Sequence, residues 1–205
     1  RESHKKMYIP RFYGQENYGT PEICKIQDTP QLNINFKGDL RDFQKPIVKK
    51  YIDEAKKNRG GLLEIHCGAG KTVMALNIIA KLKVKTLVIV HKEFLLRQWK
   101  ERIEQFLPGI KVGKIQGEIM DTEDKEIVIG MLQSLSMKDY PRKLFQQFGL
   151  TIIDECHHIG AEVFSRALFT VVSKYMLGLS ATMERKDSLS KVFKMFLGPI
   201  VYSKP

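Results

Sequence analysis

The 205-residue chain, with 43% hydrophobic residues, is long enough to bury one α/β core but short for two such domains. Its formal net charge of +11 suits a polyanionic partner such as nucleic acid, although a solvated basic surface would give the same excess. Cys24, Cys67 and Cys156 lack the spacing of a disulfide framework, and no apolar run approaches the roughly 18 residues of a membrane span. Composition therefore excludes disulfide-rich and membrane-spanning classes and predicts a soluble intracellular protein in a reducing compartment.

The first 35 residues combine prolines, aromatic residues and scattered charges without sustained periodicity. This pattern predicts an extended N-terminal appendage (1–35) outside the core, with short strands at most. A domain over 36–205 follows it. The domain opens on a helix that begins near Asp42, places Phe43, Ile47, Tyr51, Ile52 and Ala55 on its inner side, and ends at a glycine.

Six apolar runs in the remaining chain predict β-strands, at 60–67, 84–90, 110–117, 126–132, 149–155 and 175–181. Helical spacing of apolar residues separates several of them, at 71–83, 93–106 and 161–174. Most of the strand runs are apolar on both faces, which is typical of a parallel sheet covered by helices on each side. The predicted fold class is therefore a three-layer α/β domain with a largely parallel central sheet.

A glycine-rich turn, EIHCGAGKTVMAL at 64–76, lies between the first strand and the helix that follows it. Gly68, Ala69 and Gly70 would let backbone N–H groups approach an anion, and the helix adds unpaired N–H donors. In that geometry Lys71 reaches the β- and γ-phosphates of a nucleotide, and the Thr72 hydroxyl ligates the bridging Mg²⁺. The full pattern has glycine where Ile65 stands, so an ordinary tight strand-to-helix turn remains the alternative.

A pair of carboxylates follows the strand in LTIIDECHHIG, where Asp154 lies 83 residues after Lys71. Ligands of open parallel sheets bind beyond the carboxyl ends of the strands, so this pair should face the glycine turn. Asp154 could then hold Mg²⁺ through water, while Glu155 orients or deprotonates the attacking water. Without the glycine turn, a solvated acidic strand end would be the simpler interpretation.

Three motifs in this order, GAGKT, DECH and SAT at 180–182, resemble motifs I, II and III of superfamily 2 helicases. LRDFQ is similar to the glutamine motif that reads adenine, HKEFLLRQWKERI to motif Ia, and MLQSL to the next nucleic-acid motif. HCGAGKT, DECHHIGAEVFSRAL and LGLSATMERKD most resemble the branch of XPB and the type III restriction subunits, which includes helicases of large cytoplasmic DNA viruses. The resemblance implies a RecA-like domain, the first of two motor domains, in the host cytoplasm if the chain is viral.

The resemblance also implies roles for individual residues. Gln44 would recognise the adenine edge with help from Arg41, whereas local sequence alone equally fits an exposed helix residue. Ser180 and Thr182 would bond His157 and relay the nucleotide state to the bound strand and the second motor domain. Capping of the next helix is an alternative role for Thr182. The complete nucleotide-binding set is Arg41, Gln44, Gly68, Ala69, Gly70, Lys71, Thr72 and Val73.

Nucleic-acid contacts are expected in the loops beyond the strands, from Lys92, Arg97, Gln133 and Ser134. Contacts from such residues to phosphates carry no sequence information, which suits a motor that moves along any strand. Trp99 could stack on a base, but the apolar spacing of its helix favours a core position.

A zinc site is a rival interpretation of the cluster formed by His66, Cys67, Cys156, His157 and His158, although these spacings are not those of common zinc sites.

The sequence as a whole predicts the ATP-binding motor domain of a nucleic-acid helicase or translocase that uses ATP and Mg²⁺, with DNA favoured over RNA. Residues 183–205 are too few for a second α/β domain, so a second RecA-like domain is expected elsewhere in a longer chain. A nucleic-acid-binding module without turnover, and a P-loop ATPase with a different substrate, remain the alternatives.

Overall fold

The computed structural model describes residues 2–3, 6–155, 160–181 and 189–204. In chain order the elements are β1 (Glu2–Ser3), β2 (Lys6–Met7), α1 (Arg11–Tyr18), α2 (Gln44–Asn58), β3 (Gly60–Ile65), α3 (Lys71–Leu82), β4 (Thr86–Val90), α4 (Glu93–Phe106), β5 (Val112–Gln116), β6 (Ile119–Asp121), β7 (Ile127–Met131), α5 (Leu132–Met137), α6 (Arg142–Phe145), β8 (Leu150–Ile153), α7 (Ala161–Leu168), β9 (Tyr175–Ser180), α8 (Leu189–Leu197) and β10 (Ile200–Lys204).

The strands of the described residues form one small antiparallel ribbon, β1–β2, and one sheet of eight strands. The order of the large sheet is β10-β3-β9-β8-β4-β7-β5-β6, and every neighbouring pair is parallel except β5 with β6. The carboxyl ends of the seven parallel strands therefore meet at one edge of the sheet. We call this the carboxyl edge.

Helices cover both faces of the sheet, because the strands are apolar on both sides. Within β4, Val88 and Val90 face a core shared with α2, α3 and α4, whereas Leu87 and Ile89 face a core shared with α5, α6, α7 and α8. This alternation follows from the two-residue period of a strand. The three-layer α/β fold predicted from the sequence is confirmed.

All six predicted strands are present, and the helix expected near Asp42 begins at Gln44. The C-terminal residues extend the same domain: α8 packs on the sheet through Phe193 and Phe196, and β10 pairs in parallel with β3. The sequence analysis did not predict α1, α8 or β10.

The N-terminal segment is attached to the domain along much of its length. Arg11 donates hydrogen bonds from Nη1 to the carbonyl oxygens of Ser173 and Lys174, at 2.9 and 3.2 Å. The expectation that this segment lies outside the core is wrong for Ile34, which is 1% exposed and belongs to the core around α2, α3 and α4. The domain boundary at residue 35 stays a prediction.

Candidate active site

The glycine turn connects β3 to α3 at the carboxyl edge. Gly68 and Gly70 both have φ of +81°, a left-handed conformation that a residue with a Cβ adopts only at a cost. A Cβ on Gly68 would meet no atom within 4 Å, so the turn is open on that side. A Cβ on Gly70 would lie 2.6 Å from Nε2 of Gln44. The turn therefore needs glycine at position 70 for two independent reasons.

Gln44 fastens α2 to the glycine turn. Its side chain is buried; Nε2 donates to the carbonyl oxygen of Ala69 at 2.8 Å, and Oε1 accepts from the backbone N–H of Arg41 at 3.0 Å. The amide thus supports the backbone that would surround a phosphate. This contact differs from the adenine contact that the sequence analysis expected, and the adenine role stays a prediction.

A cavity of about 360 Å³ lies beside the turn. Its walls include Arg41, Phe43, Gly68, Ala69 and Tyr202. Phe43 is 46% exposed, and Tyr202 comes from β10, so two aromatic side chains of distant parts of the sequence line one space. The sequence analysis missed both as site residues. The expectation that Phe43 lies on the inner side of the helix is wrong, because this residue precedes the first turn of α2 and is exposed. Nothing in the sequence signals Tyr202.

Lys71, the first residue of α3, places its ammonium group between the glycine turn and the acidic pair. Nζ donates to the carbonyl oxygen of Ile65 at 3.2 Å and lies 3.4 Å from Oε1 of Glu155. The Lys71 side chain is only 8% exposed, so this charge is held in one place. The structure therefore brings Lys71 and Glu155 together at the carboxyl edge, where the sequence predicted that the glycine turn and the acidic pair would meet.

Asp154 follows β8 and is 4% exposed. Its Oδ2 accepts a hydrogen bond from Nε1 of Trp99, a fully buried residue of α4, at 2.7 Å. Burial raises the pKa of Asp154 from 3.8 to about 6, because desolvation disfavours the charged form and the nearby Glu155 acts in the same direction. The Trp99 bond and the Lys71 charge oppose this rise.

The raised pKa of Asp154 predicts that its charge opposes folding. Below pH 3.8 the carboxyl is neutral in both the folded and unfolded states, but between 3.8 and about 6 the unfolded chain ionises first. We expect Asp154→Asn to raise the free energy of unfolding by about 3 kcal/mol at pH 7.5 and by about half of that at pH 5. Urea unfolding at both pH values tests this. A gain that does not shrink at pH 5 would contradict the assignment to Asp154.

The residues predicted to relay the nucleotide state are His157, Ser180 and Thr182, of which Ser180 lies within the described part of the chain. Ser180 ends β9 fully buried and pairs in register with Glu64 of β3. Glu64 is itself buried and accepts a hydrogen bond from the Ser203 hydroxyl at 2.5 Å, a polar contact that the sequence analysis missed. The sequence signal for this contact is the single carboxylate residue within the otherwise apolar run GGLLEI. His157 and Thr182 lie outside the described residues, so their predicted roles stay predictions.

The residues predicted to contact nucleic acid share the carboxyl edge. The Gln133 amide donates to the carbonyl oxygen of His91 at 2.7 Å, which joins the ends of β4 and β7 beside Lys92. Lys92 and Arg97 are exposed. The Ser134 hydroxyl accepts from the backbone N–H of Gly117 at 2.9 Å and is half-buried. Trp99, by contrast, is in the core, as its helical spacing predicted.

Metal ligation by three or more histidine, cysteine or carboxylate side chains is not found among the described residues. Cys156, His157 and His158 of the alternative zinc cluster lie outside them, so that interpretation is untested. Cys24 and Cys67 are exposed free thiols. Within the same described part of the chain, no helix combines the length and hydrophobicity required to cross a membrane.

The parallel sheet, with the glycine turn and the acidic pair at its carboxyl edge, is the arrangement of a RecA-like domain. Residues 37–185 match the profile of the family described as type III restriction enzyme, res subunit, and the chain belongs to this family.

Two curated relatives cover nearly the whole chain. A protein of Acanthamoeba polyphaga mimivirus, named "Putative ATP-dependent RNA helicase L396", is 39% identical over 95% of the chain and 38% of its own length. The DNA 3'-5' translocase XPB2 of Sulfurisphaera tokodaii is 37% identical over 87% of the chain and 39% of its own length. The chain thus spans about two fifths of the length of these relatives.

Two solved structures share the fold. The SWI2/SNF2 ATPase core domain of Sulfolobus solfataricus superposes with a TM-score of 0.69 at 17% identity, over 86% of this chain and 38% of that one. The UvsW helicase of bacteriophage T4 superposes with a TM-score of 0.66 at 22% identity, over 83% of this chain and 64% of that one. The agreement at such low identity concerns the fold alone.

Proposed function

We propose that this motor domain binds ATP with Mg²⁺ in the glycine turn and uses its hydrolysis to move along nucleic acid, with DNA as the track. The observation that carries the proposal is the position of Lys71, whose ammonium group lies between the Ile65 carbonyl at the glycine turn and the carboxylate of Glu155. A buried cation beside an open glycine turn is an arrangement that suits a polyphosphate.

The donor set suits magnesium. Mg²⁺ is held in nucleotide sites by one or two carboxylates together with phosphate oxygens and water, and the Asp154 carboxylate and Thr72 hydroxyl supply hard oxygen donors at this edge. The ion would neutralise charge that develops on the transferred phosphoryl group. Glu155, 20% exposed in its side chain, would accept the proton of the attacking water.

The 360 Å³ cavity is the proposed adenine site. Phe43 and Tyr202 offer aromatic faces to a base, and the Arg41 guanidinium can pack on or bond to the same ring. Gln44 would act indirectly, because its hydrogen bond holds the Ala69 carbonyl in place. Gly68 and Ala69 line the same cavity, so the proposed base site adjoins the turn that would hold the phosphates.

Lys71→Ala should lower ATP affinity by about 10- to 150-fold, since a hydrogen bond to a charged group is worth roughly 1.5–3 kcal/mol. The fold should be retained, because alanine favours the helix that Lys71 begins. Calorimetric titration with ATP measures the change. Lys81→Ala is the matched control, because Lys81 is an exposed lysine of the same helix α3. Equal ATP affinity of both variants and the wild type would refute the phosphate site.

For the nucleic-acid track, the relatives point in two directions: the Sulfurisphaera tokodaii protein is named a DNA translocase and the mimivirus protein an RNA helicase. The proposal follows the first. Lys92 and Arg97 are exposed at the carboxyl edge and would bind phosphates of the backbone, in keeping with the net charge of +11.

The logarithm of the association constant for DNA should fall linearly with the logarithm of the salt concentration, because the release of counterions drives the association. The sequence preference should be slight. Lys92→Ala should reduce the salt slope by about one, whereas Lys100→Ala should not, since Lys100 lies about 12 Å further along α4. Fluorescence anisotropy with DNA and RNA duplexes, single strands and forks measures both. Tighter binding to RNA throughout the panel would assign the track to RNA, and salt-insensitive binding to one sequence would indicate a site-specific binding module.

A second RecA-like domain is part of the proposal, because the relatives are more than twice as long as the region they share with this chain. The exposed thiols of Cys24 and Cys67 fit a reducing intracellular compartment, which is also proposed.

A further inference from the structure

The indole of Trp99 contacts the carboxylate that would serve the metal. The bond from Nε1 to Oδ2 of Asp154 is 2.7 Å long, and the two residues are 0% and 4% exposed. They are separated by 55 positions in the sequence: Trp99 lies in helix α4, and Asp154 directly follows strand β8. Both partners of this bond are therefore shielded from water.

We propose that Trp99 is a positioning residue, whose indole N–H fixes the orientation of the Asp154 carboxylate for Mg²⁺ bound with ATP. This inference rests on the proposed magnesium site. An indole N–H is a donor only, so it can bond the carboxylate but cannot compete with it for the ion. With Oδ2 engaged by the indole, rotation of the carboxylate is restricted.

Two features of the surroundings make the indole a rigid support. Trp99 belongs to the core around α2, α3 and α4, where close packing allows few alternative rotamers. The backbone N–H of Asp154 also continues the sheet by donating to the Ile89 carbonyl at 3.0 Å, so both ends of the residue are held. Hydrogen bonds to ligating carboxylates typically contribute 10- to 100-fold to metal affinity.

The test compares two buried aromatic donors. Trp99→Phe removes the N–H and keeps an aromatic ring, while Tyr51→Phe removes the hydroxyl that donates to the Met176 carbonyl at 2.8 Å in the same core. Calorimetry on the 205-residue chain measures ATP affinity in the presence of a chelator, and then Mg²⁺ affinity of the ATP complex. We expect Trp99→Phe to lower Mg²⁺ affinity by about 10- to 100-fold with chelated-ATP affinity unchanged, and Tyr51→Phe to change neither.

A measurement on the wild type keeps the test independent of the variant's stability. Trp99 is the single tryptophan of the chain, so its emission should change when Mg²⁺ is added to the ATP complex. Unchanged emission on Mg²⁺ binding, or wild-type Mg²⁺ affinity in Trp99→Phe, would overturn the inference. Absence of Mg²⁺ binding by the wild-type ATP complex would instead refute the proposed magnesium site.

Discussion

Glu155→Gln should lower the rate of ATP hydrolysis by about 10²- to 10⁴-fold, the typical contribution of a general base. Glutamine keeps the shape of the side chain but cannot take a proton from water. The structure predicts that ATP affinity is retained or increased. In the wild type, Lys71 shares its charge with Glu155 at 3.4 Å, and the neutral amide would leave that charge to the phosphates.

The measurements are phosphate release and ATP titration, each on the variant and on the wild type under the same conditions. Glu162→Gln is the matched control, because Glu162 is an exposed carboxylate whose ion pair with Arg166 lies on α7. It should hydrolyse ATP at the wild-type rate. Near-normal turnover by Glu155→Gln would remove Glu155 from the role of base, and a parallel loss of ATP affinity would assign it to nucleotide binding.

Local patterns were sufficient to locate the glycine turn and the acidic pair. The glycine turn needs small residues within one strand–turn–helix segment, and the acidic pair follows an apolar strand directly, so each signal lies within a few residues. The parallel order of the strands then brings Lys71 and Glu155 to one edge without any further information. For this reason these two residues could be placed from the sequence.

Contacts between distant segments could not be predicted in the same way. Trp99 was recognised as a core residue from its helical spacing, but its bond to Asp154 depends on how α4 packs on the sheet. Tyr202 lines the cavity beside Phe43 because β10 pairs with β3. Nothing in the sequence of β10 predicts that β3 is its partner strand. Helix α1 was missed because its amphipathic pattern is short and weak.

The contacts of Gln44 show a further limit. The family resemblance predicts that Gln44 contacts adenine, but it does not predict which hydrogen bonds Gln44 makes within the protein. Those bonds are seen only in the structure. In this chain the amide is tied to Ala69 and to the backbone of Arg41, so a Gln44→Ala variant would disturb the turn as well as any base contact. An effect of that variant on ATP affinity would therefore not by itself identify an adenine contact.

The second large effect concerns the proposed partner domain. We expect the 205-residue chain to bind ATP but to hydrolyse it about 10³- to 10⁵-fold more slowly than a polypeptide that also contains the second RecA-like domain, because that domain would supply an arginine finger. In the described part of the chain, the positive side-chain charge beside Asp154 and Glu155 comes from Lys71. The difference corresponds to roughly 4–7 kcal/mol of transition-state stabilisation.

Affinity and turnover should therefore separate. The glycine turn, Lys71 and the proposed Mg²⁺ site already supply ground-state binding of the nucleotide, so the dissociation constant for ATP should differ little between the two polypeptides. Single-turnover hydrolysis, with and without DNA, should differ by the full factor, because the finger acts only as charge develops on the transferred phosphoryl group. DNA-stimulated hydrolysis by the 205-residue chain at the rate of the longer polypeptide would show that the site is complete in one domain, and the two-domain mechanism would be wrong.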